Sequence, residues 1–170
     1  MATITVRALE IAYTPFYVYE SVEAVTQTYR RGALLTYNSD GQITEAATDE
    51  NQIVGLATEP GQNKAAGTNP LPRVRYNPLL PGTIVEGNLV ASASVSHTVH
   101  EGTVIGLAVG IIKRTTESDV PWAFDAGETT AANQCFRIIG MKDASGDVNP
   151  RVYAMLFASK CVWTGTNTTR

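Results

Sequence analysis

Charge, cysteine, histidine and long apolar runs are all scarce in this chain, and each scarcity removes a class of function. Charged residues make up 17% of the 170 positions, below the roughly 25% of an average soluble protein. Lys and Arg number 13 against 16 Asp and Glu, a formal net charge of −3, so the basic stripe of a general nucleic-acid binder is missing. A charge density this low in one domain-sized chain points to surface that partners cover. Cys135 and Cys161 are the only cysteines and His97 and His100 the only histidines. They leave no CxxC pair and no Cys/His cluster for a metal. One disulfide between the two cysteines is a possible pairing. The longest apolar stretch, "TVIGLAVGII" from Thr103, is far short of the roughly 18 residues that span a bilayer. The opening "MATITVRALE" carries no basic head followed by an apolar run. The expectation is a soluble protein made in the cytoplasm, with reduced thiols, no membrane partner and no nucleic-acid partner.

Thr, Val, Gly and Pro fill the space these absences leave. Turn residues punctuate the chain every ten positions or so and no long 3.6-residue stripe appears, the pattern of an all-β fold. At this length a single domain buries roughly 70% of its unfolded surface and folds without staples. "TITVRALE" (3–10) alternates as a strand at an interface would. "TPFYVYE" (14–20) follows, with the densest aromatic cluster in a chain that is only 8% aromatic. "SVEAVTQTYRR" (21–31) is the one stretch compatible with a short helix, with Ser21 as its cap and Val22, Val25 and Tyr29 on one side. In "GALLTYNSDGQITEA" two apolar runs flank Asp40–Gly41, which predicts a tight hairpin. Residues 61–82 contain Pro70, Pro72, Pro78 and Pro81 and are expected to cross the surface outside any ladder.

"IVGLA" at Ile53 and "VIGLA" at Val104 are near-identical and lie 21 and 22 positions after Gly32 and Gly82. They suggest a degenerate duplication of a small β unit, with a looser echo in "RIIGMK" from Arg137. A polar loop is expected over 115–134, followed by two strands, "CFRIIGMK" and "RVYAMLFASKCVW", joined by the turn-rich "DASGDVNP". In the last strand Val152, Ala154, Leu156, Ala158 and Val162 share one side. Tyr153, Met155, Phe157 and Trp163 share the other. A strand apolar on both faces is either central in its fold or covered by another subunit.

The candidate chemical motifs fail on spacing. "GTVIGLAVG" places Gly102, Gly106 and Gly110 four apart with no helix to follow, unlike a dinucleotide fingerprint. "GQNKAAGT" lacks the lysine a phosphate loop needs before its threonine. Gly55, Gly106 and Gly140 are therefore expected at bulges or close backbone approaches within strands. "HTVH" read as a strand sends its two rings to opposite sides. "DASGDVN" spaces Asp143, Ser145, Asp147 and Asn149 like the opening of a calcium loop, but its glycine is misplaced and Ala154 stands where the closing Glu belongs. Ser96 beside His97 has no nucleophile elbow around it. The expectation is a chain that is not an enzyme, with no catalytic, cofactor or metal residues.

The runs "RRGALLTYNSDGQITEAATDENQIVGLA", "PGTIVEGNLV" and "IIGMKDASGDVNPRVYAMLFAS" resemble the head decoration (cement) proteins of tailed bacteriophages, over roughly residues 30–159. That resemblance implies a small β-barrel, β-tulip or jelly-roll-like domain with an extended N-terminal arm and long loops. The corresponding division is an arm or first strands over 1–30, a body over 31–163 with inserted loops at 61–82 and 115–134, and a tail at 164–170. It further implies a homotrimer on the outside of the expanded capsid of a virion made in a bacterial host. There it would bridge major capsid protein subunits and stabilise the head. The residues expected to meet capsid or sister subunits are Ile4, Val6, Tyr13, Phe16, Tyr17 and Tyr19. The alternative is a tail or adhesin-type β module that binds a receptor or carbohydrate, and a hydrolase or sugar-binding module using the His97–His100 region and the 115–134 loop is a more distant rival.

Overall fold

Period-two alternation of apolar and polar residues turns into eleven short strands among the described residues. The computed structural model describes residues 2–14, 17–116 and 121–162. In chain order the elements are β1 (Glu10–Tyr13), β2 (Tyr19–Val22), β3 (Leu34–Tyr37), β4 (Ile43–Glu45), β5 (Gly55–Ala57), β6 (Arg73–Pro78) and β7 (Ile84–Val90). They continue with the single helical turn α1 (Glu101–Val104), β8 (Ala108–Lys113), β9 (Trp122–Asp125), β10 (Phe136–Met141) and β11 (Arg151–Leu156). A 3-10 turn, Ala158–Lys160, follows.

Five of these strands close into a barrel in the order β7-β11-β10-β8-β9, with β9 returning to pair in parallel with the far end of β7 (Leu89 with Phe124, Val90 with Asp125). β1 pairs antiparallel with the near end of the same strand, Glu10 opposite Glu86. Closure leaves the barrel no free edge. Its inward positions carry Val85, Leu89, Val109, Ile111, Phe124, Phe136, Ile138, Val152 and Ala154, all fully buried. The Phe124 and Phe136 rings meet at 5.2 Å in a tilted pair. Leu9 is buried against this core, and only glycine fits opposite it: a Cβ on Gly87 would lie 2.2 Å from Leu9 Cδ2. The residues before β1 are packed on the body too, with Val6 buried against Val90 and Ala123 and the Ile4 amide donating to the Val148 carbonyl at 2.9 Å.

The second sheet runs β2-β6-β5-β3-β4, antiparallel throughout. The Asp40–Gly41 hairpin joins β3 to β4 as expected. Gly41 has φ +73°, and the Asn38 carboxamide accepts the amides of Asp40 and Gln42 at 3.0 and 2.9 Å.

Several expectations need correction. The Pro-rich connection contains β6, a strand between β2 and β5, because Arg73–Asn77 is a proline-free run whose Val74 and Tyr76 point inward. The prolines bracket the ladder rather than interrupt it, with Pro78 in its last position. The stretch compatible with a short helix, 21–31, does not form one: Ser21 pairs with Val74 in the β2–β6 ladder, and Thr26 sits at φ +59° in the turn that follows. Its β-branched Val22, Val25, Thr26 and Thr28 favour a pairing partner over an isolated short helix. The loop at 115–134 contains β9, all four of whose residues are buried.

The duplication is not structural. β3 and β5 are hydrogen-bonded neighbours, whereas β7 and β8 do not pair with each other. Gly55 lies in a strand beneath Tyr76 and Gly140 follows a register shift in β10, as expected. Gly106 is instead a turn residue at φ +89°, just past α1. "HTVH" is likewise not a strand, since Thr98 makes a single bridge to Val148 and His100 immediately precedes α1. Phe16, Trp163 and the tail at 164–170 lie outside the described residues.

Candidate interaction face

Strands whose inner residues fill the barrel still turn apolar residues outward. β11 alternates buried Val152, Ala154 and Leu156 with half-buried Tyr153 and Met155. It lies between β7 and β10, with Tyr153 opposite Glu86 on one side and Gly140 on the other. The Tyr153 ring lies over Gly140, where even a Cβ would meet Tyr153 Cδ2 only in ordinary van der Waals contact, at 3.7 Å. At the far side of β7 a register irregularity between Ile11 and Tyr13 leaves both Ala12 and Tyr13 exposed. Together Ala12, Tyr13, Ile84, Glu86, Ile139, Gly140 and Tyr153 line a shallow hollow of about 400 Å³ on the outer face of β1, β7, β11 and β10. Tyr13 is 57% exposed and Ile139 38%.

Charges at the border of this hollow are paired among themselves. Lys142 Nζ lies 2.6 Å from a Glu86 oxygen and Arg151 3.5 Å from the other. Arg151 also grips Asp143 through two side-chain hydrogen bonds, at 3.1 and 2.8 Å, while its main-chain amide donates to the same carboxylate at 2.8 Å. The Arg151 guanidinium holds the Asp143 carboxyl below its usual range, against a smaller opposing effect of burial. Two cations and two carboxylates thus cancel beside an apolar hollow. A protein partner can cover such a surface without stranding a charge.

The link between β1 and β2 adds a second apolar strip: Tyr17 is 88% exposed, Tyr19 46%, and Val18 is also exposed. Four of the seven large exposed hydrophobic residues among the described positions thus fall between Tyr13 and Tyr19. Of the six residues singled out in the sequence, Tyr13, Tyr17 and Tyr19 are at the surface and Ile4 is half-buried. Val6 is corrected: its side chain belongs to this chain's own core. Ile84 and Ile139 escaped the sequence reading. Their signal is the one noticed for the last strand alone, apolar residues at both parities of "TIVEGNLV" and "FRIIGM".

The motifs weighed for chemistry are engaged in local structure. Asp143 is held by Arg151, and Asp147 accepts the Ala2 amide at 2.7 Å. The Asn149 carboxamide accepts the His97 amide at 2.9 Å and donates to Ser96 Oγ at 3.1 Å. Among the described residues no group of three His, Cys, Asp or Glu side chains is placed to hold a metal ion. Cys135 and Cys161 are separate buried thiols, not a disulfide. Burial pushes the Cys135 thiol up to about 11, which makes it a poor nucleophile at neutral pH. Comparison with known protein families, curated proteins and solved structures finds no match to this chain.

Proposed function

We propose that this chain is a non-enzymatic structural protein that docks through the outer face of β1, β7, β11 and β10. On this reading it decorates the exterior of an expanded phage capsid as a homotrimer and stabilises the head by bridging major capsid protein subunits. The observation that carries the docking role is the apolar outer face on strands whose inner face already forms the core. That face is bordered by internally neutralised charges, and a strip of exposed Tyr17, Val18 and Tyr19 follows Tyr13 in the chain. The capsid as partner comes from the likeness of the runs at residues 30–57, 81–90 and 138–159 to cement proteins. Decoration suits modest contact areas, because attachment to a lattice at several points multiplies weak affinities.

The reading makes two measurable claims. Added to empty expanded heads of the phage that encodes it, the protein co-sediments with them and raises their melting temperature. Saturating protein that neither sediments with the heads nor protects them overturns the capsid role. Multi-angle light scattering, alone and in the presence of heads, reports the oligomer: a species that is monomeric in both settings contradicts the trimer.

A further inference from the structure

Three carboxyl groups from different segments converge over Gly110 and Ile111 of β8. Asp125, at the end of β9, stands opposite Gly110 in the ladder and is 7% exposed. Glu128 lies over the same glycine, where an added Cβ would come to 2.9 Å of both Glu128 Cβ and Cγ. Asp49 reaches in from the β4–β5 loop, with its amide 3.5 Å from the Ile111 carbonyl. Its carboxyl is hydrogen-bonded to that of Glu128. Ionised carboxylates only accept, so this bond exists only while one of the two holds a proton. Among the described residues no ion pair involves Asp49, Asp125 or Glu128. Lys113, farther along β8, is paired with Glu45, and Lys160 of the 3-10 turn donates to the Ala132 carbonyl. Glu50, beside Asp49 in the chain, adds another negative charge, and it acts on Cys135 together with Lys160, Asp49 and Glu128.

We propose that Asp49 and Glu128 form a proton-dependent latch, which ties the β4–β5 loop of the second sheet to the β9–β10 connection of the barrel in mild acid and loosens as the pH rises. The surroundings divide the roles. The Thr130 amide holds the Glu128 carboxyl below its usual range, against burial, with Asn133 Nδ2 and Asp49 adding to the effect. Burial pushes Asp49 up, and the bond to Glu128 and the charges of Glu128 and Asp125 push the same way. The shared proton therefore belongs to Asp49. Asp125 is raised as well, by burial first and then by the Glu128 charge, against the Gly127 amide. A carboxyl raised on folding contributes stability that is fully present below the unfolded value of about 4. That contribution is lost as pH rises through the higher folded value. Asp143, held low by Arg151, has the opposite sign, and its contribution is complete above the range in which the latch acts.

Melting temperatures of the intact protein at about pH 5 and about pH 8 read the latch. Wild type should melt about 1–2 °C higher at the lower pH, a modest shift because solvent screens the exposed Asp49. Asp49 sits at φ +63°, a conformation that asparagine also enters. Asp49→Asn should therefore fold, and its carboxamide donates to Glu128 at every pH. This variant should melt above wild type at the higher pH and gain less on acidification, with Asp125 supplying what remains. Carbon-13 carboxyl spectra give a second readout: Glu128→Gln should shift the Asp49 titration to lower pH, because the new carboxamide donates to the ionised form. A wild-type melting temperature that does not rise on acidification would overturn the latch. So would an Asp49→Asn variant with the wild-type pH dependence, or an Asp49 titration that Glu128→Gln leaves in place. The latch shares no residue with the apolar hollow, so none of these outcomes bears on the docking role.

Discussion

Individual side chains set the tolerances of this molecule, and one of the tightest is at Gly55. A Cβ there would meet the Tyr76 ring at 2.4 Å and the Asn77 carbonyl at 2.6 Å. Tyr76 is among the largest fully buried side chains and cannot retreat without opening the second sheet. Gly55→Ala should therefore lower stability by about 2 kcal/mol, as overpacking of a dense core does, read as a shift in the urea midpoint without a change in slope. Asp143 supplies a pH dependence. Its carboxyl is held low by Arg151, so its contribution is fully present above the unfolded-state carboxylate pKa of about 4. That contribution is lost as pH falls through the lower folded value. Asp143→Asn should cost about 1–2 kcal/mol at neutral pH and less at a pH acid enough to protonate the wild-type carboxyl. An equal cost at both pH values would show that the ion pair is not the source.

At the scale of elements, β9 carries the barrel. It contributes four buried residues and joins β8 to the end of β7, converting an open sheet into a closed one. Phe124→Ala removes a ring packed on Phe136 and should cost about 3–5 kcal/mol. Trp122→Phe should be milder, losing chiefly the hydrogen bond to Glu45. Equilibrium unfolding checks both, and a Phe124→Ala variant as stable as wild type would mean that closure contributes little. The same strand shows why part of the fold was not legible in the sequence. Four residues buried on both sides give no period to read, and the polar stretches around "PWAFD" looked like one continuous loop. β6 is hidden differently: its alternation is plain in "RVRYN", but the flanking prolines, which only terminate its ladder, mimic a segment that forms none. Where alternation ran between unambiguous turns, as at Asp40–Gly41 and along β11, sequence and structure agree. The repeat of "GLA" misled because a five-residue apolar motif suits both a strand with a close neighbour and the exit from a helical turn. Backbone φ at Gly106, which separates the two, is not encoded in the motif itself.

For the whole molecule, a closed barrel and an open sheet share one core and leave their outer surface available for recognition. The tyrosine cluster was legible in the sequence, since "FYVYE" is conspicuous in a chain with few aromatics. The hollow was not, because it is assembled from β1, β7, β10 and β11, which lie far apart along the chain. The central claim is that this hollow is the docking face, and one measurement bears on it most directly. Empty expanded heads are mixed with wild-type protein or with the Tyr13→Asp, Ile139→Asp double variant and then sedimented. Both substitutions lie at exposed positions, so the variant should keep the wild-type melting temperature. The account predicts that wild type sediments with the heads while the variant stays in the supernatant. Equal recovery of both in the pellet would contradict it.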